Sequence, residues 1–119
     1  MSEKKTYEGS CHCGKVKYRA NLTLDSVISC NCSICGRQGS LLTFVGPEDF
    51  ELVSGEESLK DYRFNTKQIG HLFCTECGIR SFSKGSTPDG RAMFAVNVRC
   101  VEGIDPATLK ITHYDGKSV

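Results

Sequence analysis

The chain has 119 residues, enough for one domain with a modest apolar core. Its 15 basic residues against 14 acidic ones supply no overall field to draw in nucleic acid or an anionic membrane. Eight cysteines in so short a chain are far more than ordinary usage, so cysteine chemistry has to be explained. The first residues, MSEKKTYEGS, are charged and polar with no apolar run of a secretory signal, and no stretch approaches the roughly 18 apolar residues of a membrane span. A cytoplasmic protein is therefore expected. In that compartment stable disulfides are rare, and clustered cysteines point to metal binding or catalysis.

The punctuation along the chain predicts a mostly β domain. KVKYRANL sets Val16, Tyr18 and Ala20 against Lys15, Lys17 and Arg19, the period-2 alternation of a half-buried strand. A turn of helix is predicted near Cys32 to Arg37, then a strand over LLTFV, which Gly46-Pro47 stops before a short helical turn at Pro47 to Phe50. FELV and LKDYRF flank SGEES as a hairpin, and IGHLFC runs into a glycine knuckle at Cys77-Gly78. IRSFS continues to Lys84-Gly85, and Pro88-Asp89-Gly90 is a strong turn signal, since proline presets one φ and glycine tolerates a positive one. AMFAVNV is the most apolar strand. Asp105 is placed to cap a last helical turn over Pro106 to Leu109, and THYDG at 112–116 reads as a turn-like ending. No internal repeat, low-complexity tract or linker interrupts the chain, so residues 1–119 are expected to form a single domain.

The cysteines sort by spacing into Cys11-His-Cys13, Cys30-Asn-Cys32-Ser-Ile-Cys35, Cys74-Thr-Glu-Cys77 and a solitary Cys100. Two thiolates separated by two residues and followed by glycine can both face one tetrahedral ion, and CTECG and CSICG have that form; CHCG offers a second kind of two-sulfur arm. The seven clustered cysteines divide into a four-thiolate set and a three-thiolate set. One division joins Cys32 and Cys35 with Cys74 and Cys77, leaving Cys11, Cys13 and Cys30 over. The other joins Cys11 and Cys13 with Cys74 and Cys77 and leaves Cys30, Cys32 and Cys35 as a local triad. Spacing leaves both open, and the second is preferred because it keeps every motif intact. A closed site is structural, whereas one with an open position can take a substrate.

GSCHCGKVKY, CNCSIC, FCTECGIRSF and NVRCVEGID, in this order and separation, resemble the glutathione-dependent formaldehyde-activating family, which also includes centromere protein V. The resemblance runs from about Tyr7 to Tyr114. It implies a single-domain β-tent zinc fold built from small antiparallel sheets and holding two zinc ions. One is a structural zinc on Cys11, Cys13, Cys74 and Cys77, and the other a catalytic zinc on Cys30, Cys32 and Cys35. It also implies glutathione as co-substrate and an aldehyde as partner. The glutathione thiol would add to formaldehyde to give S-hydroxymethylglutathione, and the reverse reaction breaks a carbon–sulfur bond, which makes the enzyme formally a lyase. Glutathione brings carboxylates, and Arg37, immediately beyond the triad, is the first candidate to bind one, with Arg80 and Arg99 behind it. Many members place a basic residue directly after the third cysteine of the triad, whereas Gly36 intervenes here.

Other residues carry plainer expectations. Cys100 reads as a buried apolar cysteine, His12 as a surface residue between two ligands and His71 as structural. His113 is a minor candidate for a fourth ligand, and Asn97 a strand residue able to donate near the site. The alternative to an enzyme is a non-catalytic zinc-stabilised scaffold that binds protein. Nucleic acid is the less favoured partner, because a binder of that kind wants a basic face with exposed aromatics.

Overall fold

Where apolar and polar residues alternate along a strand, as over KYRANL, the alternation decides which face is buried. The computed structural model describes residues 4–24, 26–63, 69–87 and 89–116. Its strands are β1 (Lys5–Ser10), β2 (Lys17–Leu22), β3 (Val27–Cys30), β4 (Leu42–Val45), β5 (Phe50–Ser54), β6 (Leu59–Tyr62), β7 (Gly70–Cys74), β8 (Phe82–Ser86), β9 (Ala92–Asn97) and β10 (Ile111–Tyr114). A single short α-helix among the described residues, α1 (Ser33–Gln38), follows β3, and 3-10 turns cover Pro47–Asp49, Glu56–Ser58, Val98–Cys100 and Pro106–Thr108. The chain is thus mostly β and forms one compact domain. None of its described helices is long and apolar enough to cross a membrane.

Two sheets share the core. The smaller is antiparallel, in the order β1-β2-β5, and the larger runs β10-β3-β4-β9-β8-β7-β6. On the small sheet Tyr18 and Ala20 sit opposite Leu52 and Phe50, so β2 and β5 present their apolar residues on one face. That face meets Phe82, Phe94 and Val96 of the large sheet. Phe50 is the hinge of the contact, stacked on Tyr18 with ring centroids 5.3 Å apart and on Phe94 at 4.3 Å, with Phe82 tilted against it at 4.7 Å. Aromatic pairs in these geometries add about 1 kcal/mol each to the area they bury. The Tyr18 ring extends over β1, where only Gly9 leaves room, since a methyl group there would collide with it.

The opposite face of the large sheet is the one that matters for function. Register carries a row across four strands, from His71 through Ser83 and Ala95 to Phe44. Ile28 opposite Leu42, and Tyr114 beside Cys30, extend the same face to β3 and β10. This face does not pack against the small sheet, and α1 lies at its β3 end.

Most of the expected elements stand within a residue or two, including the turn at Pro47–Asp49 and the Asp105 cap, whose side chain accepts the Ala107 N–H at 3.0 Å. Three readings are corrected. Ile79 is not in a strand: its carbonyl accepts the Cys74 N–H and closes the knuckle, so β8 begins at Phe82. The turn-like ending at 112–116 overlaps β10, which starts at Ile111 and runs parallel to β3; the residues of β10 are all exposed, so burial leaves no alternation to read. The large sheet is therefore mixed, while the other strand pairs are antiparallel. Of the strand read over 59–64, β6 carries Leu59–Tyr62, and Phe64 lies outside the described residues, as does Pro88 of the turn whose Gly90 N–H bonds to the Thr87 carbonyl.

Candidate metal centre

Cys11, Cys13, Cys74 and Cys77 bring their four sulfurs within 4.8 Å of one another. Cys11 follows β1 directly, and the loop to β2 folds back so that the Cys11 N–H reaches the Val16 carbonyl while the Val16 N–H points at the Cys11 sulfur, 3.3 Å away. Gly14 takes the positive φ of 85° that this tight loop requires. Cys74 ends β7, and the Gly78 N–H closes the knuckle on its carbonyl at 2.8 Å, with Gly78 at φ 78°. The Sγ atoms of Cys11 and Cys13, and those of Cys13 and Cys74, are each 3.6 Å apart. Four sulfurs about 2.3 Å from a tetrahedral zinc would stand roughly 3.8 Å from each other, so the spacing fits that ion.

The ionisation of the four sulfurs is mutually dependent. Desolvation works against it, yet the backbone N–H groups of Cys13 and Ile79 and the neighbouring sulfurs hold the Cys77 thiol down at about 6. The Lys15 N–H favours the Cys13 thiolate, but desolvation and the other three sulfurs push that thiol up to about 12. One sulfur ionises at the expense of another because like charges so close repel. A divalent cation among them would allow all four to be thiolates.

Cys30, Cys32 and Cys35 form the second cluster, also within 4.8 Å. Cys30 is the last residue of β3, Cys32 stands just ahead of α1 with extended backbone, and Cys35 lies one turn into the helix. The Gly36 N–H bonds to the Cys32 carbonyl at 2.8 Å, and Gly39, at φ 75°, ends the helix on the Cys35 carbonyl. Burial raises the Cys35 thiol to about 12, with the Cys32 and Cys30 sulfurs adding to the effect. Cys32 moves the other way: burial opposes its ionisation, but the N–H groups of Cys35 and Ile34 and the two partner sulfurs lower it. Among the described residues no fourth histidine, cysteine, aspartate or glutamate joins this group. The triad opens onto a cavity of about 740 Å³ on the free face of the large sheet.

A model of the family described as glutathione-dependent formaldehyde-activating enzyme matches residues 6–113. The chain belongs to that family. A crystal structure of a Rhodobacter sphaeroides protein, a structural genomics target, is similar at 31% sequence identity and a TM-score of 0.77, over 88% of this chain and 99% of that one. The family model spans both cysteine clusters, eight of the ten strands in full, and all but one residue each of β1 and β10, which it enters at Thr6 and leaves at His113. The division of cysteines preferred from motif integrity is also the one that the fold brings together in space.

The arginines are arranged differently from the expectation. Arg37, the first candidate for binding a carboxylate, turns along α1, donates to the Ser33 carbonyl at 2.8 Å and lines a separate shallow hollow with Ser33, Ile34 and Tyr62. Arg99 donates to the Gly39 carbonyl at 3.2 Å and so braces the end of α1. Arg80 is the arginine that lines the cavity of the triad. Burial weakens its proton affinity, and the Cys35 and Cys32 sulfurs partly restore it. Asn97 holds the Arg80 backbone in place by donating its Nδ2 to the Arg80 carbonyl at 3.1 Å, while its Oδ1 accepts the Arg99 N–H. Cys100, half-buried, leans on the same carbonyl, and burial raises its thiol.

His12 and His113 are exposed, and neither lines the cavity; the neighbour of His113, Tyr114, does. His71 lines it too, with Nδ1 3.0 Å from the Tyr62 carbonyl, so the proton sits on that nitrogen. Leu42, Phe44, Ile69 and Ala95 complete the apolar wall and were not anticipated as site residues. The signal for Leu42, Phe44 and Ala95 was present in LLTFV and AMFAVNV, where both alternations carry apolar residues because one face meets the core and the other the cavity.

Proposed function

We propose that the chain is a zinc-dependent carbon–sulfur lyase that makes or breaks the adduct of a thiol with an aldehyde, S-hydroxymethylglutathione being the adduct that the family description suggests. In this reading Cys11, Cys13, Cys74 and Cys77 hold a structural zinc, and Cys30, Cys32 and Cys35 hold a catalytic one. The observation that carries it is the contrast between the clusters: four sulfurs close on one another beside the core, while three converge at the end of an open cavity. Zinc bound by three thiolates offers one further position to a soft ligand and lowers the pKa of a thiol there below its free value of about 8.5.

The protein's own residues supply the rest. In the forward direction the thiol sulfur bonds to the carbonyl carbon, the thiol proton ends on the carbonyl oxygen, and no electrons leave the pair. The wall of Ile28, Leu42 and Phe44 keeps water from the sulfur and favours the less hydrated adduct. Arg80 binds an anionic group of the thiol and thereby orients its sulfur toward the triad. Tyr114 of β10 and Gly116 just beyond it close the outer edge, and at Gly116 a Cβ would stand 2.5 Å from the Cys30 sulfur and 3.2 Å from the Cys32 Cβ.

Metal analysis of the purified chain followed by titration with glutathione tests the reading. The expected result is two zincs per chain, one of which gains a sulfur neighbour in X-ray absorption as glutathione is added. Two zincs indifferent to thiol would leave a metal-stabilised scaffold instead. The packing of Gly116 gives an independent test. Gly116→Val forces the Cys30 sulfur aside, so zinc content is expected to fall by roughly half while the fold persists. Full zinc retention in that variant would show that Cys30 is not held as a ligand.

A further inference from the structure

The cavity beside the triad has an unbalanced set of side chains. Its sheet wall is apolar, Arg80 is its cation, and no aspartate or glutamate is among its described lining residues. Burial, and after it the charge of Arg80, keeps the pKa of His71 below the usual imidazole range, so that ring adds no charge near neutral pH. The Arg80 Nε is buried without a hydrogen-bond partner, and none of the ion pairs among the described residues involves its guanidinium. A buried charged donor left unmatched is costly, and a carboxylate on the ligand would supply the partner.

The mouth of the cavity is apolar as well. Phe44, Ile69 and Tyr114 all line it and remain 46%, 50% and 51% exposed, which is unusual for large side chains gathered around one opening. A volume of about 740 Å³ lies within the range of pockets that enclose small organic ligands. Glutathione meets this surface poorly. It carries two carboxylates and an ammonium group, of which Arg80 can neutralise one carboxylate, while the ammonium finds no acidic partner among the described lining residues.

We infer that the cavity selects a thiol, free or as its carbonyl adduct, with an apolar body of aromatic size and a single carboxylate seated on Arg80, in preference to glutathione. The inference rests on the reading that thiols bind at Cys30, Cys32 and Cys35. The apolar body of that thiol covers Phe44, Ile69 and Tyr114, and taking their exposed apolar surface out of water favours the complex.

Calorimetric titration of the zinc-loaded chain compares four probes: 2-mercapto-3-phenylpropionate, its methyl ester, 3-phenylpropionate and glutathione. The phenyl thiol acid is expected to bind at least roughly tenfold tighter than each of the other three. Arg80→Met should abolish the advantage of the acid over its ester, and Arg80→Lys should keep part of it. Phe44→Ala, at an exposed position that the fold tolerates, should weaken the phenyl thiol severalfold and glutathione by much less, so that the preference between them narrows. Glutathione binding as tightly as the phenyl thiol overturns the inference while leaving the thiol site intact. Equal binding of 3-phenylpropionate and the phenyl thiol acid overturns the thiol reading itself, and the inference with it. An unchanged preference for acid over ester in Arg80→Met removes Arg80 from the anion's seat.

Discussion

Cys74→Ser is expected to abolish the cooperative fold. Cys74 is fully buried at the end of β7, in one cluster with Tyr18, Phe82 and Val96, so its sulfur is at once a core atom and one of the four converging on the knuckle. The cluster joins the loop after β1 to the end of β7, across more than half of the chain. A structural zinc contributes on the order of 10 kcal/mol to folding, which is comparable to the whole stability of a domain this size. Serine cannot replace that: its oxygen is protonated at neutral pH, is a poor match for zinc in a thiolate site and would be a buried polar atom without a partner. Circular dichroism of the variant should lack a cooperative melt, and a strong chelator should produce the same loss in the unsubstituted chain. A variant that melts cooperatively at the original temperature with one zinc fewer would show that this site does not hold the fold.

What could be read from the sequence, and what could not, follows from the range of the forces involved. Thiolate arms are local: glycine after Cys13, Cys35 and Cys77 and the one- or two-residue spacings report a knuckle wherever they occur. The convergence of Cys11 with Cys74 is not local, and spacing alone allowed another pairing; motif integrity and the family likeness chose the one that the fold adopts. Strands with one wet face, such as β2, announce themselves by alternation. β10 does not, because all four of its residues are exposed and it pairs through its backbone to a strand far away in sequence. Nearness in sequence was also what favoured Arg37 over Arg80. A residue two places beyond Cys35 sits on the outward side of a short helix, whereas Arg80 is carried to the cavity by the knuckle of the other cluster and by the hydrogen bond from Asn97. The Gly116 contact with Cys30 has no sequence signal at all, since it depends on the parallel pairing of β10 with β3.

Cys32→Ser is expected to give the opposite outcome, a folded protein without thiol chemistry. Cys32 is only partly buried, and the hydrogen bond that it contributes to α1 runs from its backbone carbonyl to the Gly36 N–H, which the substitution leaves in place. It occupies the N-cap of that helix with extended backbone, where serine is among the preferred residues, so local stability should change by no more than about 1 kcal/mol in either direction. The triad, however, falls to two sulfurs and loses the one whose ionisation the helix favours. Outer partners of a metal ligand alone cost 10- to 100-fold when removed, so loss of a ligand should reduce formation and breakdown of the thiol adduct by more than about 100-fold. Zinc content should fall by roughly half, and the melting profile should stay close to that of the unsubstituted chain. If this variant unfolds as Cys74→Ser is expected to, both clusters serve the fold, and the open cavity has no metal-bound thiol to present. A folded variant with full activity would instead place the chemistry away from Cys32 and leave the cavity to binding alone.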